Sequence, residues 1–368
     1  MNAFGILSLN PGSEMHYFTE IAVRAAKYGM ECFRFIPSGI DPVTHQVTGE
    51  KYEHHQQRWT QAQFPLPNIL YDRCLYGDDN HSRRCMSIMK WLKSREDLLF
   101  LGHGLPGKWV LYKVLAASAL APYVPETKQA HTVYSVLSFL SSKKKIILKP
   151  VFGHAGSGIV CLEEEGETIT VCAETRERLL KSIFPDRNTA ENWIEKHIIS
   201  RPYLMQEFLV LTDRQNRPMD IRIFLQKDEN GSWKERGRGI RAGQANRILS
   251  NLAAGGSIEE YSSWEAGLPP VSREFISAEL EGLTSALPTI LESHFLPLFE
   301  IGIDIGIAAD SALWILDVNS KPGRKVLEET SPEIKDLLYS APLAYGILLA
   351  EQSQGKENYN EKTLSNRG

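Results

Sequence analysis

Of the 368 residues only five are cysteine (Cys32, Cys74, Cys85, Cys161 and Cys172), an odd number with no C-x-x-C pair among them. That spacing excludes a disulfide framework and an ordinary zinc site, and it points to a reducing cytoplasm. Residues 1–10 lack both a basic start and a long apolar run, so no signal peptide is expected. No stretch approaches the ~20 apolar residues that span a bilayer. Charge of neither sign dominates: the net charge is −4, which gives no reason to expect nucleic acid or an anionic membrane as partner. No glycine loop carries G-K-[ST] or opens a helix as G-x-G-x-x-G, which excludes a Walker A loop and a Rossmann fingerprint. A soluble cytoplasmic chain is expected, long enough for two or three packed units, unless a partner packages it into an assembly.

The strongest positive signal is residues 299–323, FEIGIDIGIAADSALWILDVNSKPG. They read as two strands, 300–308 and 313–319, joined by a two-residue turn centred on Asp310 and Ser311. In that register Asp304 lies opposite Asp317, and Asn319 shares their face because strand side chains alternate. Like charges placed opposite each other are destabilising in a sheet. Two carboxylates and an amide oxygen on one face suit a hard divalent cation, and Mg²⁺ takes such ligands. The rest of that face is expected to be apolar, which weighs against a hairpin that merely turns its acids to water.

Upstream, residues 3–9, 14–30 and 31–36 read as strand, helix and strand, the start of a small α/β domain with parallel strands. Asp72 and Arg73 end a further strand, where they either face a ligand crevice or form a surface salt bridge. A helix over 108–120 and a strand over 145–151 precede the loop Gly153-His154-Ala155-Gly156-Ser157-Gly158. A glycine hairpin can cover phosphates because its N–H groups approach without Cβ obstruction, and Lys149 just before it strengthens that reading. Residues 175–186 and 188–200 read as helices, the second capped by Asn188. Gln206 and Glu207 interrupt an apolar strand, so they need partners or mark a site. Asp220 and Arg222 share a face of the next strand. Arg236, Arg238 and Arg241 share a face of the one after, if one bulge is allowed; arginines so placed suit phosphate or carboxylate. For Arg236 and Arg238 a solvent-exposed strand serves as well, whereas Arg241 lies nearest the small-residue loop 250–257. An amphipathic helix over 271–295 packs on the sheet, Ser331 caps the last helix, and residues 352–368 are a polar frayed tail.

In their order and spacing, the segments from Lys108 to Lys325 resemble an ATP-grasp enzyme, closest to the YheC/YheD-like branch of endospore coat-associated proteins. The resemblance is carried by Lys113, Lys149 with the glycine loop, Gln206-Glu207-Phe208-Leu209, Asp220-Ile221-Arg222, Asn251-Leu252 with Gly255-Gly256, and Asp304 with the run from Asp317 to Gly323. It implies an α/β chain: a small N-terminal parallel α/β domain (1–107), then an α+β two-subdomain ATP-grasp fold with a lid subdomain (108–205) and a large subdomain carrying the Mg²⁺ site (206–350), and a tail (351–368). It further implies that Lys113 and Lys149 hold the ATP phosphates, with Gly156 and Ser157 in a mobile lid. Gln206, Glu207 and Leu209 would meet the adenine and Asp213 the ribose. Asp304, Asp317 and Asn319 would hold one or two Mg²⁺ ions, and Arg222, Arg241 and Asn251 would face the transferred phosphoryl group. Asp317 stands where most such enzymes have Glu, which makes bridging of two ions less certain.

The activity so implied is an ATP- and Mg²⁺-dependent carboxylate–amine ligation through an acyl phosphate, with small-molecule or peptide substrates. A spore-associated binding protein with little turnover, or a kinase of a small acid, would keep the same nucleotide site. A homo-oligomer or spore-coat association is compatible with either.

Overall fold

The computed structural model describes residues 2–151, 158–174, 179–245, 247–248, 250 and 255–365, the last ten of these as backbone only. Three sheets follow one another along the chain. The first has the order β4-β3-β2-β1-β5-β6. Its strands are β1 (Asn2–Leu7), β2 (Met30–Phe35), β3 (Gln46–Glu53), β4 (Arg58–Pro65), β5 (Ile69–Asp72) and β6 (Leu99–Phe100). Strands β1, β2, β5 and β6 are parallel, as expected, with α1 (Met15–Ala25) and α2 (Asn80–Lys93) between them in the chain. The antiparallel hairpin β3–β4 was not anticipated from the sequence and widens the sheet on its β2 edge.

The helix α3 (Lys108–Ala116) leads into the second, wholly antiparallel sheet, ordered β11-β10-β9-β8-β12-β7. It comprises β7 (Thr127–Gln129), β8 (Lys145–Pro150), β9 (Val160–Glu165), β10 (Thr168–Glu174), β11 (Leu179–Phe184) and β12 (Tyr203–Glu207), with α4 (Val133–Lys143) and α5 (Arg187–Ile194). Two expectations fail here. The stretch read as a helix over 175–186 contains strand β11, because pairing with the open edge of β10 outweighs the helical preference of its leucines and lysine. The following helix is capped by Asp186, whose side chain accepts from the Thr189 N–H at 2.8 Å, and not by Asn188.

The third sheet has the order β15-β14-β13-β16-β17 and is antiparallel throughout. Its strands are β13 (Met219–Lys227), β14 (Trp233–Ala242), β15 (Ser257–Glu260), β16 (Glu300–Ile307) and β17 (Leu313–Asn319). Between β15 and β16 lie α6 (Tyr261–Ala266) and α7 (Pro270–His294); α8 (Lys325–Thr330) and α9 (Lys335–Ser365) complete the chain. The sequence EIGIDIGI of β16 explains how the sheet is dressed. Ile301, Ile303, Ile305 and Ile307 face the apolar stripe of α7 (Ile276, Leu280, Leu283, Leu287, Leu291), while Glu300, Gly302, Asp304 and Gly306 face the other way. Leu111, Leu115 and Leu120, from α3 and the turn after it, join that same core.

The second face of the sheet is buried along β16, as expected, but only part of it is apolar. One end of it carries the polar site described below. The other end, with Phe224 and Phe299, shares a core with the first sheet, α1, α8 and α9. Two C-terminal expectations are also corrected. Ser331 makes no side-chain cap bond, and α9 continues to Ser365 through the stretch expected to fray. Among the described residues no helix is long and apolar enough to cross a membrane.

Candidate functional site

The hairpin β16–β17 sets the site. Its connection has three residues, Ala309-Asp310-Ser311, with Ala308 N–H donating to Ala312 O at 2.9 Å and Ser311 in the left-handed region at φ 70. This places Ile305 opposite Ile315, one residue away from the register that a two-residue turn would give. Regular continuation would put Leu316 opposite Asp304 and turn Asp317 towards the core. A bulge at this point removes the offset, so that Asp304 pairs with Asp317 and Gly302 with Asn319. The expected pairing holds, through two departures from regularity that cancel. Re-aiming a side chain next to a site is a common use of a bulge.

The neighbouring strands complete the face. Arg222 pairs with Asp304 across β13–β16 and Asp220 with Arg241 across β13–β14. Arg222 grips Asp304 with two bonds, Nε to Oδ1 at 2.5 Å and Nη2 to Oδ2 at 3.1 Å. Arg241 bridges the two carboxylates, reaching Asp220 Oδ1 at 2.7 Å and Asp304 Oδ2 at 2.9 Å. The Ser250 hydroxyl donates to the second Asp220 oxygen. Burial by itself would raise the pKa of Asp304, but the Arg222 and Arg241 guanidiniums outweigh it and hold the carboxyl below its ordinary range.

Two lysines arrive from the other side. Lys149, at the end of β8, donates to the Leu316 carbonyl at 3.3 Å. Enclosure and the adjacent Lys108 bring its pKa down to about 8, against the pull of Asp317 and Asp304. Lys108, the first residue of α3, lies 3.1 Å from Asp317 Oδ2. Four cationic side chains thus surround three carboxylates on one half-buried face. The donor set of Asp304, Asp317 and Asn319, all oxygen, fits Mg²⁺. The surplus of cations fits the phosphates of a nucleotide.

Several expected site residues stand elsewhere. Lys113 is exposed on α3, five residues and therefore about 140° around the helix from Lys108. The lysine that reaches the hairpin is Lys108. Sequence reasoning passed over it, although its place at a helix start directly after Gly107 was a usable signal. Asp213 holds its own turn: it accepts from the Gln215 and Arg217 N–H groups at 2.8 and 2.9 Å and pairs with Arg217 Nε at 2.7 Å. Both its oxygens are engaged, which leaves the ribose role without geometric support. Gln206 donates to Thr127 Oγ1 at 2.7 Å, and Glu207 pairs with Lys143 at 2.9 Å. Leu209 follows them, half-buried, just beyond the end of β12.

The arginines of β14 do not share one face. The irregularity of this strand leaves Arg236 without a partner in β13, ahead of the other two. Arg238, opposite Ile223, therefore points away from Arg241 and pairs with Glu235 at 2.5 Å. Asp72 and Arg73 do not form a surface salt bridge; Asp72 lines a small cavity with Tyr71, Glu300, Ser320 and Lys321. Both are buried, Asp72 between Lys93 and Lys321 at 2.7 Å each, and Arg73 against Glu14 at 2.6 Å. Gly156, Ser157 and Asn251 lie outside the described residues.

Known proteins share the family and the fold of this chain. Residues 97–349 match the family model described as YheC/D like ATP-grasp. The chain is similar to the endospore coat-associated protein YheC of Bacillus subtilis (strain 168), with 36% identity over 96% of this chain and 98% of that one. Among solved structures it is similar in fold to the D-alanine–D-alanine ligase of Coxiella burnetii, with a TM-score of 0.53 and 11% identity over 98% of this chain and 99% of that one. It is likewise similar to a RiPP-associated ATP-grasp ligase of Chryseobacterium gregarium in complex with ADP and a leader and core peptide. There the TM-score is 0.51 and the identity 11%, over 96% of this chain and 97% of that one.

Proposed function

The chain belongs to the YheC/D-like ATP-grasp family, and from that premise we propose that it is an ADP-forming ligase joining a carboxylate to an amine. The observation that carries the proposal is the face on which Asp304, Asp317 and Asn319 are ringed by Lys108, Lys149, Arg222 and Arg241. Phosphoryl transfer needs positioning and charge neutralisation more than covalent help from the protein. A bound Mg²⁺ would supply neutralisation of the developing charge, held by Asp304, Asp317 and Asn319. In this reading Lys108 and Lys149 hold phosphate oxygens. Arg222 and Arg241, released in part from Asp304, face the transferred group and the acyl phosphate. Gln206, Glu207 and Leu209 border the adenine. The amine then displaces phosphate. The division into an N-terminal domain to residue 107, a lid subdomain to 205 and a large subdomain to 350 belongs to the same proposal.

A second reading is favoured by one finding, the similarity to an endospore coat-associated protein. Here the chain is a spore-associated protein that binds nucleotide with little turnover. The two readings share the site and differ in product. Thermal melting with and without MgATP, on wild type and on Asp317→Ala/Asn319→Ala, tests the shared part. Ligand that binds only the folded state stabilises it by about 2.7 kcal/mol at one hundred times Kd, and the melting temperature rises accordingly. A rise in wild type that is lost in the double variant supports the nucleotide site. ADP release on adding amino acids or peptides then separates the ligase from the binding protein. No rise at millimolar MgATP sinks both.

A further inference from the structure

Strand β10 belongs to the second sheet and ends at Glu174, whose carboxylate reaches the third. The side chain is only 3% exposed. Its Oε2 accepts from the Ile248 N–H at 3.0 Å, and its Oε1 lies 3.8 Å from Arg247 Nη1. Arg247 and Ile248 sit on the connection between β14 and β15. Two residues further on, Ser250 donates to Asp220, which holds Arg241, which holds Asp304. Hydrogen bonds thus tie the end of β10 to Ile248, and tie Ser250, two positions along the chain, to the carboxylates placed for the metal.

Burying a carboxylate is costly unless its bonds are well made. Apolar contact would hold the two sheets together without direction, whereas a carboxylate aimed at one backbone N–H fixes a register. We propose that Glu174 is a positioning residue, a clasp by which the second sheet sets the segment at Arg247 and Ile248. Through Ser250 and Asp220, that segment sets the arginine facing the transferred phosphoryl group. The functional half of the proposal rests on the nucleotide site argued above. The clasp itself does not.

The test uses the full chain and four variants: Glu174→Ala, Glu174→Gln, Ser250→Ala and the double Glu174→Ala/Ser250→Ala. The first readout is amide hydrogen exchange over 247–250 in nucleotide-free protein. Glu174→Ala should speed exchange at Ile248 by about tenfold or more, as loss of a charge-assisted bond implies. Glu174→Gln, which keeps an acceptor, should restore most of the protection. Unchanged exchange in Glu174→Ala overturns the clasp. The second readout is MgATP affinity. Glu174→Ala and Ser250→Ala should each weaken it by about tenfold, and the double variant by little more than either, because residues acting through one path are not additive. Independent, multiplying effects overturn the relay. If wild type fails to bind MgATP, the nucleotide reading and the relay fall together, while the exchange result still decides the clasp.

Discussion

A lysine enclosed beside a second lysine gives up its proton more readily than one in water. Lys149, with its pKa lowered to about 8, shows this, and the sign of its effect can be worked out. Between pH 8 and the ordinary lysine range the unfolded chain binds more protons at this residue than the folded one. Its contribution therefore raises stability with pH across that window, and below it the charged lysine destabilises the fold. A bound phosphate reverses the preference. MgATP binding at pH 8 is thus expected to take up about half a proton. Calorimetry in buffers of differing ionisation enthalpy reads this directly, and Lys149→Met should abolish the uptake; a buffer-independent enthalpy in wild type would refute it. The two lysines of α3 give a sharper contrast. Lys108→Ala should weaken MgATP by roughly 10- to 100-fold, the worth of a charge-assisted contact, while exposed Lys113→Ala should change affinity less than about twofold. Equal effects would restore the expectation drawn from sequence. Lys113 was singled out by the family resemblance, and the order of motifs along a chain does not say which turn of a helix meets a neighbouring sheet.

At the scale of elements, the site face of β16 is kept clear by glycine. A Cβ on Gly302 would stand 2.5 Å from Pro322 Cβ and 3.5 Å from Arg222 Nη1. Pro322 belongs to the segment Ser320-Lys321-Pro322-Gly323, and its carbonyl accepts from Arg73 at 3.1 Å, so it has little freedom to retreat. Gly302→Ala is expected to destabilise by about 1–3 kcal/mol, the usual effect of overpacking, as Pro322 is pushed. Gly282, exposed in α7 with nothing near its missing Cβ, provides the control. There Gly→Ala should stabilise by roughly 0.5–1 kcal/mol through helix propensity. Paired melting curves check both, and a neutral Gly302→Ala would show that the loop yields. The alternation of β16 and the stripe of α7 were legible because both periods are local. Strand β11 was not: its residues suit a helix, and only the free edge of β10 makes them a strand.

For the whole molecule, the first and third sheets are joined around buried charge. Arg324 pairs with Glu300, Arg73 lies 3.5 Å from Glu300 and 2.6 Å from Glu14, and the Tyr71 hydroxyl also donates to Glu300. Beside them Lys93 and Lys321 hold Asp72 well below the usual carboxylate range, against a burial that would raise it. Removing one member of such a set leaves buried charge incompletely compensated. Arg324→Met should therefore cost about 3–5 kcal/mol, and Glu300→Gln/Arg324→Met should recover much of that. Melting of the single and double variants tests it; a double variant worse than the single would argue that Glu300 has other obligatory partners. Nothing in the local sequence around Arg73 or Arg324 announces this network, since it draws together stretches of the chain as far apart as Glu14, Arg73 and Glu300.

Local pattern was enough to determine that the chain has a strand pair bringing two aspartates and an asparagine to one face, an amphipathic helix to cover the opposite face, and a parallel α/β start. Those features follow from periods of 2 and 3.6 residues, which a side chain expresses whatever lies around it. Only the tertiary structure decided that Lys108 and not Lys113 meets the hairpin, that the Leu316 bulge is what carries Asp317 to the polar face, and that Asp72 and Arg73 are interior ties. Each of these depends on which distant element packs alongside, and side-chain contact between separate elements is set by the assembled packing, not by the spacing of residues along the chain.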